Sequence, residues 1–364
     1  MKVVLTSDEV TFYYSPPLPL RLKTERVRAK YPLYSLVKVS SVTGWEIVDP
    51  WRAVELARSG EVDAVGIYVN DPLGVSPVSK SLGLLFGEEP GHVYALRTLL
   101  NRLRESGVKI FAGGPGAWQL SGVTVVTGDA ENFPDLDLKG NYVDLGEAKG
   151  FVPVRSPSGM GEVEVERRGR AVPREVVVKE MEIQARAHGY VNLISRDLFS
   201  LPDLYDLLVV ASKYGEVRFS NVDITSVAVI DLRKVREVLG LSENRFAFPV
   251  LIKGGSCGVD EPEILRELNR EFIYPVVHVK EGEIDEFTKY RCIIIPMFEE
   301  RPYEALYKAW RHNRRFVKSG LAREVDEIVR KNYEMRGELL RKTRGNGDAV
   351  AIAVNPVLSL FWGI

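Results

Sequence analysis

The chain has 364 residues, 45% of them hydrophobic and 27% charged, with a formal net charge of −1: an ordinary globular composition with room for two domains and a tail. The near-neutral balance excludes a global field that would draw nucleic acid or a membrane surface. No run of about 18 apolar residues reads as a membrane span, and the start, MKVVLTSDEV, lacks a signal-peptide core, so a cytoplasmic location is expected.

In chain order, residues 2–6 are strand-like and 15–20 are proline-rich. Residues 51–59 read as a helix ending at Gly60. The run EVDAVGIYV (61–69) is continuously apolar, the mark of a strand covered on both faces. An amphipathic helix over 93–106 stops at Gly107, and VKIFA (108–112) is a second buried strand that runs into Gly113-Gly114-Pro115-Gly116. Short strands are expected at 123–127 and 142–145. Strand–helix–strand repetition of this kind predicts a parallel, doubly wound sheet.

A second series begins near Phe151. Strands are expected at 151–155, 190–195, 217–221, 245–253, 273–279 and 292–298, with helices at 174–187, 201–213, 232–239, 262–271 and 281–289 between them. Six β/α units in succession suit a partial barrel or a further open sheet. From Arg301 to Arg344 the chain becomes helical and basic, with thirteen Lys/Arg against six Asp/Glu, an excess of seven. The apolar segment 349–364 is expected to dock as a strand or a buried tail. Two glutamines, Gln119 and Gln184, against 49 Lys+Arg and 50 Asp+Glu point to a thermophile.

The order VDAVGIYV (62–69), VKIFAGGPGAW (108–118), TVVTGDAEN (124–132) and YVDLGEAKG (142–150) resembles the cobalamin-binding-domain radical S-adenosylmethionine proteins, with some likeness to the methylthiotransferase branch. Further on, residues 167–208 look like the first helix and second strand of that family's barrel. PVLIKGGSCGVDEPEILRELNRE (249–271) is similar to its fourth strand, Gly-Ser turn and following helix. The likeness covers about two thirds of the chain. It implies a Rossmann-like doubly wound domain over 1–149, a partial (β/α)6 TIM-type barrel over 150–300 and a helical C-terminal region over 301–364.

The likeness breaks at the chemistry. The family's cluster loop carries three cysteines after the first barrel strand, and the aligned segment PVRSPSGMGEVEVE (153–166) has none. Iron–sulfur clusters are held by several Cys thiolates, and this chain has two cysteines in all, Cys257 and Cys292. No 4Fe-4S cluster is expected, and with it goes reductive radical chemistry. The Asp-x-His-x-x-Gly motif of free-standing cobalamin domains is also missing, which leaves cobalamin and S-adenosylmethionine as ligands implied by the resemblance alone. Cys257 and Cys292 fall at opposite ends of the expected barrel, too far apart for a disulfide.

Candidate site residues follow from strand ends, where α/β folds place their ligand loops. Gly113, Gly114 and Gly116 either let a ligand approach the backbone or form a tight turn. Lys253, Gly254, Gly255 and Ser256 end the fourth expected barrel strand, and Ser195, Asn221, Asp197 and His278 lie at neighbouring strand ends. Asp197, Lys253 and His278 are the residue types for acid–base work, while solvated strand ends are polar in any such fold. His278 stands out among His92, His188, His278 and His312. Arg311, Arg314 and Arg315 in the basic tail could contact an RNA backbone or form a solvated helix face. The function expected is a degenerate, cluster-less relative that binds a small molecule or supports a protein partner. The alternatives are a non-radical enzyme using the barrel mouth and an RNA-binding accessory of a tRNA-modification system.

Overall fold

A computed structural model describes residues 1–135, 140–252 and 261–364. The chain is mixed α/β with parallel sheets, and it divides into two compact units: residues 1–160 with 343–347, and residues 161–342 with 348–364.

The first unit is built on six parallel strands: β1 (Val3–Ser7), β2 (Glu46–Ile47), β3 (Ala64–Tyr68), β4 (Lys109–Gly113), β5 (Thr124–Thr127) and β6 (Tyr142–Asp144). Their order is β2-β1-β3-β4-β5-β6, so the direction of winding reverses at β1. Alternation along β1 sends Val3 and Leu5 to one face and Val4 to the other. Helices α1 (Glu9–Phe12) and α2 (Tyr34–Thr43) supply Phe12 and Leu36 to the first face. Helices α3 (Pro50–Arg58) and α5 (Gly91–Glu105) supply Val54, Leu96 and Leu100 to the second; α4 (Pro77–Phe86) lies between β3 and α5 in the chain. Gly66 sits mid-strand in β3 because the Phe111 ring and Leu5 fill the space a Cβ would need, at 2.5 and 2.7 Å. Phe111 in turn packs with Trp45 and Phe133, aromatic burial that contributes about 2–3 kcal/mol per ring.

The second unit begins at β7 (Glu162–Glu164), followed by a small hairpin, β8 (Glu166–Arg167) and β9 (Arg170–Ala171), and helix α6 (Arg174–His188). Strands β10 (Tyr190–Ile194), β11 (Glu216–Phe219), β12 (Asn221–Asp223), β13 (Val250–Ile252), β14 (Val276–Lys280) and β15 (Ile293–Met297) follow. The helices among them are α7 (Leu204–Ser212), α8 (Ile224–Val227), α9 (Leu232–Leu239), α10 (Glu261–Arg270) and α11 (Ile284–Phe287). Two parallel sheets, β11-β10-β7 and β12-β13-β14-β15, meet at Ser220. Its N–H donates to Leu193 on one side, and its carbonyl accepts from Val250 on the other. Apart from the hairpin, the strands therefore lie side by side in chain order.

Helices α12 (Pro302–Asn313), α13 (Ser319–Glu334) and α14 (Glu338–Lys342) form the charged C-terminal region.

Two expectations are corrected. Residues 151–155 are not a strand; Pro153 offers no N–H to a ladder, and the first strand of this unit is β7, Glu162–Glu164. The apolar end is buried over Ala349–Val354, as expected, but forms two helices rather than a strand, α15 (Gly347–Val354) and α16 (Val357–Trp362). No helix among the described residues is long and apolar enough to cross a membrane.

Candidate functional site

At the carboxyl ends of the second unit's strands, Asn221 donates its side-chain amide to the Ser195 carbonyl at 3.2 Å. The Ser195 hydroxyl is buried with no hydrogen-bond partner among the described residues. Asp197 is fully engaged. Its carboxylate accepts from the N–H groups of Phe199 at 3.2 Å and Asp223 at 3.0 Å, and from the Ser226 hydroxyl. It thereby clamps the turn after β10 to β12 and α8. His278 stands in β14 on the same face as Val276 and Lys280 and is solvent-accessible, yet the protein around its ring disfavours the imidazolium and lowers its pKa. No hydrogen bond or ion pair joins His278 to Asp197 among the described residues. Lys253, Gly254, Gly255, Ser256 and Cys257 lie outside the described residues.

The turn after β15 presents three successive backbone N–H groups, from Glu299, Glu300 and Arg301, an arrangement that binds anions. The Glu281 carboxylate fills it, accepting from all three at 2.8–2.9 Å. Burial raises the pKa of Glu281, but these bonds and the Arg301 charge outweigh it and hold the carboxyl below its ordinary value.

The segment 154–161 precedes β7 rather than following it, and the loop that does follow, 165–173, carries the β8–β9 hairpin. Neither contains a cysteine. Cys292 opens the β15 segment fully buried, and burial pushes its thiol up to about 12 against the opposing pull of Arg315. A single buried thiol among the described residues is too few for a cluster held by several thiolates, and these residues do not fit an iron–sulfur group.

Beside Cys292, the His312 ring donates from Nε2 to the Cys292 carbonyl at 2.8 Å and accepts from the Arg315 guanidinium at Nδ1. Burial first, then the Arg315 charge, brings His312 down to about 4. This neutral imidazole fastens α12 to β15. Arg314 is paired with Asp326 at 2.8 Å, and Arg311 lies over the Tyr307 ring, itself stacked on Tyr333. All three arginines considered for RNA are thus engaged by this chain's own groups, Arg315 through His312.

In the first unit the Gly113–Gly116 turn meets its own backbone. A Cβ on Gly114, at φ +102°, would lie 2.5 Å from the Val69 carbonyl oxygen, and one on Gly116 would lie 2.3 Å from that of Asn70. The glycines allow β4's exit to pack against the exit of β3.

Immediately beside that packing lies a cluster that reading the sequence did not single out. Asp8 follows β1 and caps α1, accepting from Val10 and Thr11 N–H at 3.0 and 2.9 Å while only 2% exposed. Burial raises its pKa, with the Thr11 and Val10 bonds and the nearby His92 ring working against the rise. Asp71 follows β3. Its carboxylate accepts from Val75 N–H, Ser76 N–H and, at 2.6 Å, the Ser79 hydroxyl. Burial raises the Asp71 pKa, and these bonds more than reverse it, so the net shift is downward. His92, in the first turn of α5 and 6% exposed, contacts the Asp71 carbonyl through Nε2 at 2.9 Å.

A carbonyl only accepts, so Nε2 carries a proton, and in the neutral ring Nδ1 then holds a lone pair. That Nδ1 is buried and has no partner among the described residues. An orphaned imidazole acceptor of this kind can take a ligand's N–H or O–H, or a proton. The signal available in the sequence was an Asp within three residues of the end of each of two buried strands; His92, 21 residues beyond Asp71, has no fixed spacing that would announce it.

No family model matches the chain, and no curated protein matches it. Among solved structures, an amidohydrolase from Burkholderia ambifaria with bound zinc aligns over 94% of this chain and 93% of its own at 11% identity, with a TM-score of 0.30.

Proposed function

We propose that this protein is a cluster-free relative of the radical S-adenosylmethionine fold that works as a ligand-binding or partner-supporting protein. Its ligand would be a small polar molecule held where the first sheet reverses its winding. The reading takes the first unit as a doubly wound domain and the second as a partial (β/α)6 barrel. The reversal at β1 and the chain-ordered parallel strands of the second unit support that layout.

In open α/β sheets, ligands sit outside the carboxyl ends of the strands where the winding reverses. Here Asp8 and Asp71 occupy those ends on the two adjacent strands, β1 and β3. The observation that carries the proposal is the buried, unpartnered Nδ1 of His92 beside them. Leaving such an acceptor unsatisfied costs about 1–3 kcal/mol, a cost that a ligand donor removes. An enzyme acting through Asp197 is less well supported, because that carboxylate already serves three donors of its own chain. S-adenosylmethionine and cobalamin are the ligands that the sequence likeness brings into question. Against the second, the chain lacks the Asp-x-His-x-x-Gly motif of free-standing cobalamin domains.

Native mass spectrometry with a visible spectrum tests the proposal, on wild-type protein and His92→Leu prepared side by side in one host. A small molecule retained by the wild type and lost from His92→Leu, at unchanged unfolding midpoint, is the expected result. A bare wild-type chain, or a variant that keeps the ligand, overturns it.

A further inference from the structure

The second unit contains a cavity of about 250 Å³ at the amino ends of its strands, away from the carboxyl ends that carry Asp197 and His278. Glu216 and Arg218 of β11 line one side, and Phe246 and Phe248, just ahead of β13, line another. Phe316 and Lys318 come from the link between α12 and α13. The three phenylalanine rings are half-buried. Phe246 stands 6.2 Å from Phe248 and 5.9 Å from Phe316 between ring centroids, tilted against both. They form an apolar wall of ring faces and edges, suited to a further flat ring in offset or edge-on contact.

The charges at the cavity do not cancel. Arg218 is satisfied: it bonds Glu216 at 2.7 Å and lies 3.8 Å over the Tyr190 ring. Arg245, which also lines the cavity, has no side-chain hydrogen bond or ion pair among the described residues. Lys318 donates to the Gly363 carbonyl, a neutral acceptor that leaves its charge uncompensated. Of the lining side chains, one carboxylate is consumed by one guanidinium and two cationic ones remain beside an aromatic wall, with the backbone of Gly363 and Ile364 closing the cavity.

We propose that this cavity binds a small aromatic carboxylate, with its ring against Phe246, Phe248 and Phe316 and its carboxylate between Arg245 and Lys318. Size narrows the class. The volume falls below the roughly 300–1,000 Å³ of pockets for drug-sized ligands, which leaves room for one or two fused rings with a single acidic group and not for a nucleotide. A carboxylate accepts from a guanidinium in a charge-assisted, bidentate manner that a neutral amide cannot match.

Calorimetric titration of the full chain with benzoate and indole-3-carboxylate tests this, with benzamide and benzylamine as neutral and cationic controls. The carboxylates should bind saturably, the controls should not, and Arg245→Gln and Lys318→Gln should each weaken binding about tenfold, which is 1.4 kcal/mol. Arg245 is exposed and makes no side-chain bond among the described residues that folding would miss, so an unchanged unfolding midpoint in that variant separates lost binding from lost structure. Absence of saturation by about 10 mM for both carboxylates, equal binding of benzamide, or wild-type affinity in both variants overturns the assignment. The proposal rests on the second unit alone, and its outcome is independent of the His92 experiment.

Discussion

Two histidines of this chain show how one residue type is put to opposite uses. At His312 both ring nitrogens are spoken for, by the Cys292 carbonyl and the Arg315 guanidinium; at His92 one is and the other is not. The first is therefore a structural rivet, and its titration is a stability effect with a definite sign. Its folded pKa, about 4, is below the ordinary 6.5, so the unfolded chain binds the proton first. The stabilisation is complete above pH 6.5 and is lost as pH falls from 6.5 through about 4. The full loss is about 3 kcal/mol. Urea unfolding at pH 7.5 and at pH 4.5, for wild type and His312→Gln, isolates the contribution, because the other titrating groups are common to both proteins. Wild type should lose more stability than the variant between the two pH values. An equal loss would mean that His312 is not held neutral in the folded chain.

At the scale of elements, what could be read in advance followed from periodicity. Strands β3, β4 and β5 were legible because each is an apolar run between helix signals, and α6 and α9 because their caps and amphipathic spacing agree. Helix α2, YSLVKVSSVT, was not: its serines, threonine and valines are poor helix formers. It holds through tertiary contacts, among them the buried Lys38 ammonium that donates to the Val152 carbonyl at 2.6 Å. Helix α4 carries a start signal, Ser76 as cap with Pro77 at the first position, but its glycine and two serines weaken the helical pattern that follows. The tail AVAIAV is apolar at every position, so it carries no period to tell helix from strand. The glycine-rich turn after β4 was legible as a turn, while its purpose was not, because the atoms it accommodates belong to residues 69 and 70. That purpose makes a prediction. Gly114→Ala forces an alanine to φ +102° with its Cβ against the Val69 carbonyl, and should cost about 3 kcal/mol of unfolding free energy. A loss of less than about 0.5 kcal/mol, the range of neutral surface changes, would mean that the turn has room to spare and that its glycines answer to something other than the packing of β3 against β4.

Whole-molecule chemistry is decided by an inventory rather than by any one contact. A parallel-stranded α/β chain of this kind can carry many reactions on one scaffold, and the scaffold alone names none of them. What limits this chain is its supply of soft ligands: two cysteines in 364 residues, of which Cys292 is fully buried with its thiol near 12. Among the described residues no group of three His, Cys, Asp or Glu side chains is gathered in a metal-binding arrangement. The correction at β7 leaves this point standing, since moving the first strand of the second unit moves the loop in question from 153–166 to 165–173, and the replacement is equally without cysteine. Anaerobic incubation with ferrous iron, sulfide and reductant should therefore leave the folded protein with no bound cubane, read as iron and acid-labile sulfide per chain after desalting and as a flat spectrum near 400 nm, a band that a cluster's Fe–S charge transfer would fill. Native protein should also leave Cys292 unmodified by iodoacetamide until it is unfolded, since alkylation requires the thiolate. Stoichiometric uptake approaching four irons per chain would require thiolates that the sequence does not contain, and would show that another ligand type, or a second chain, completes the site.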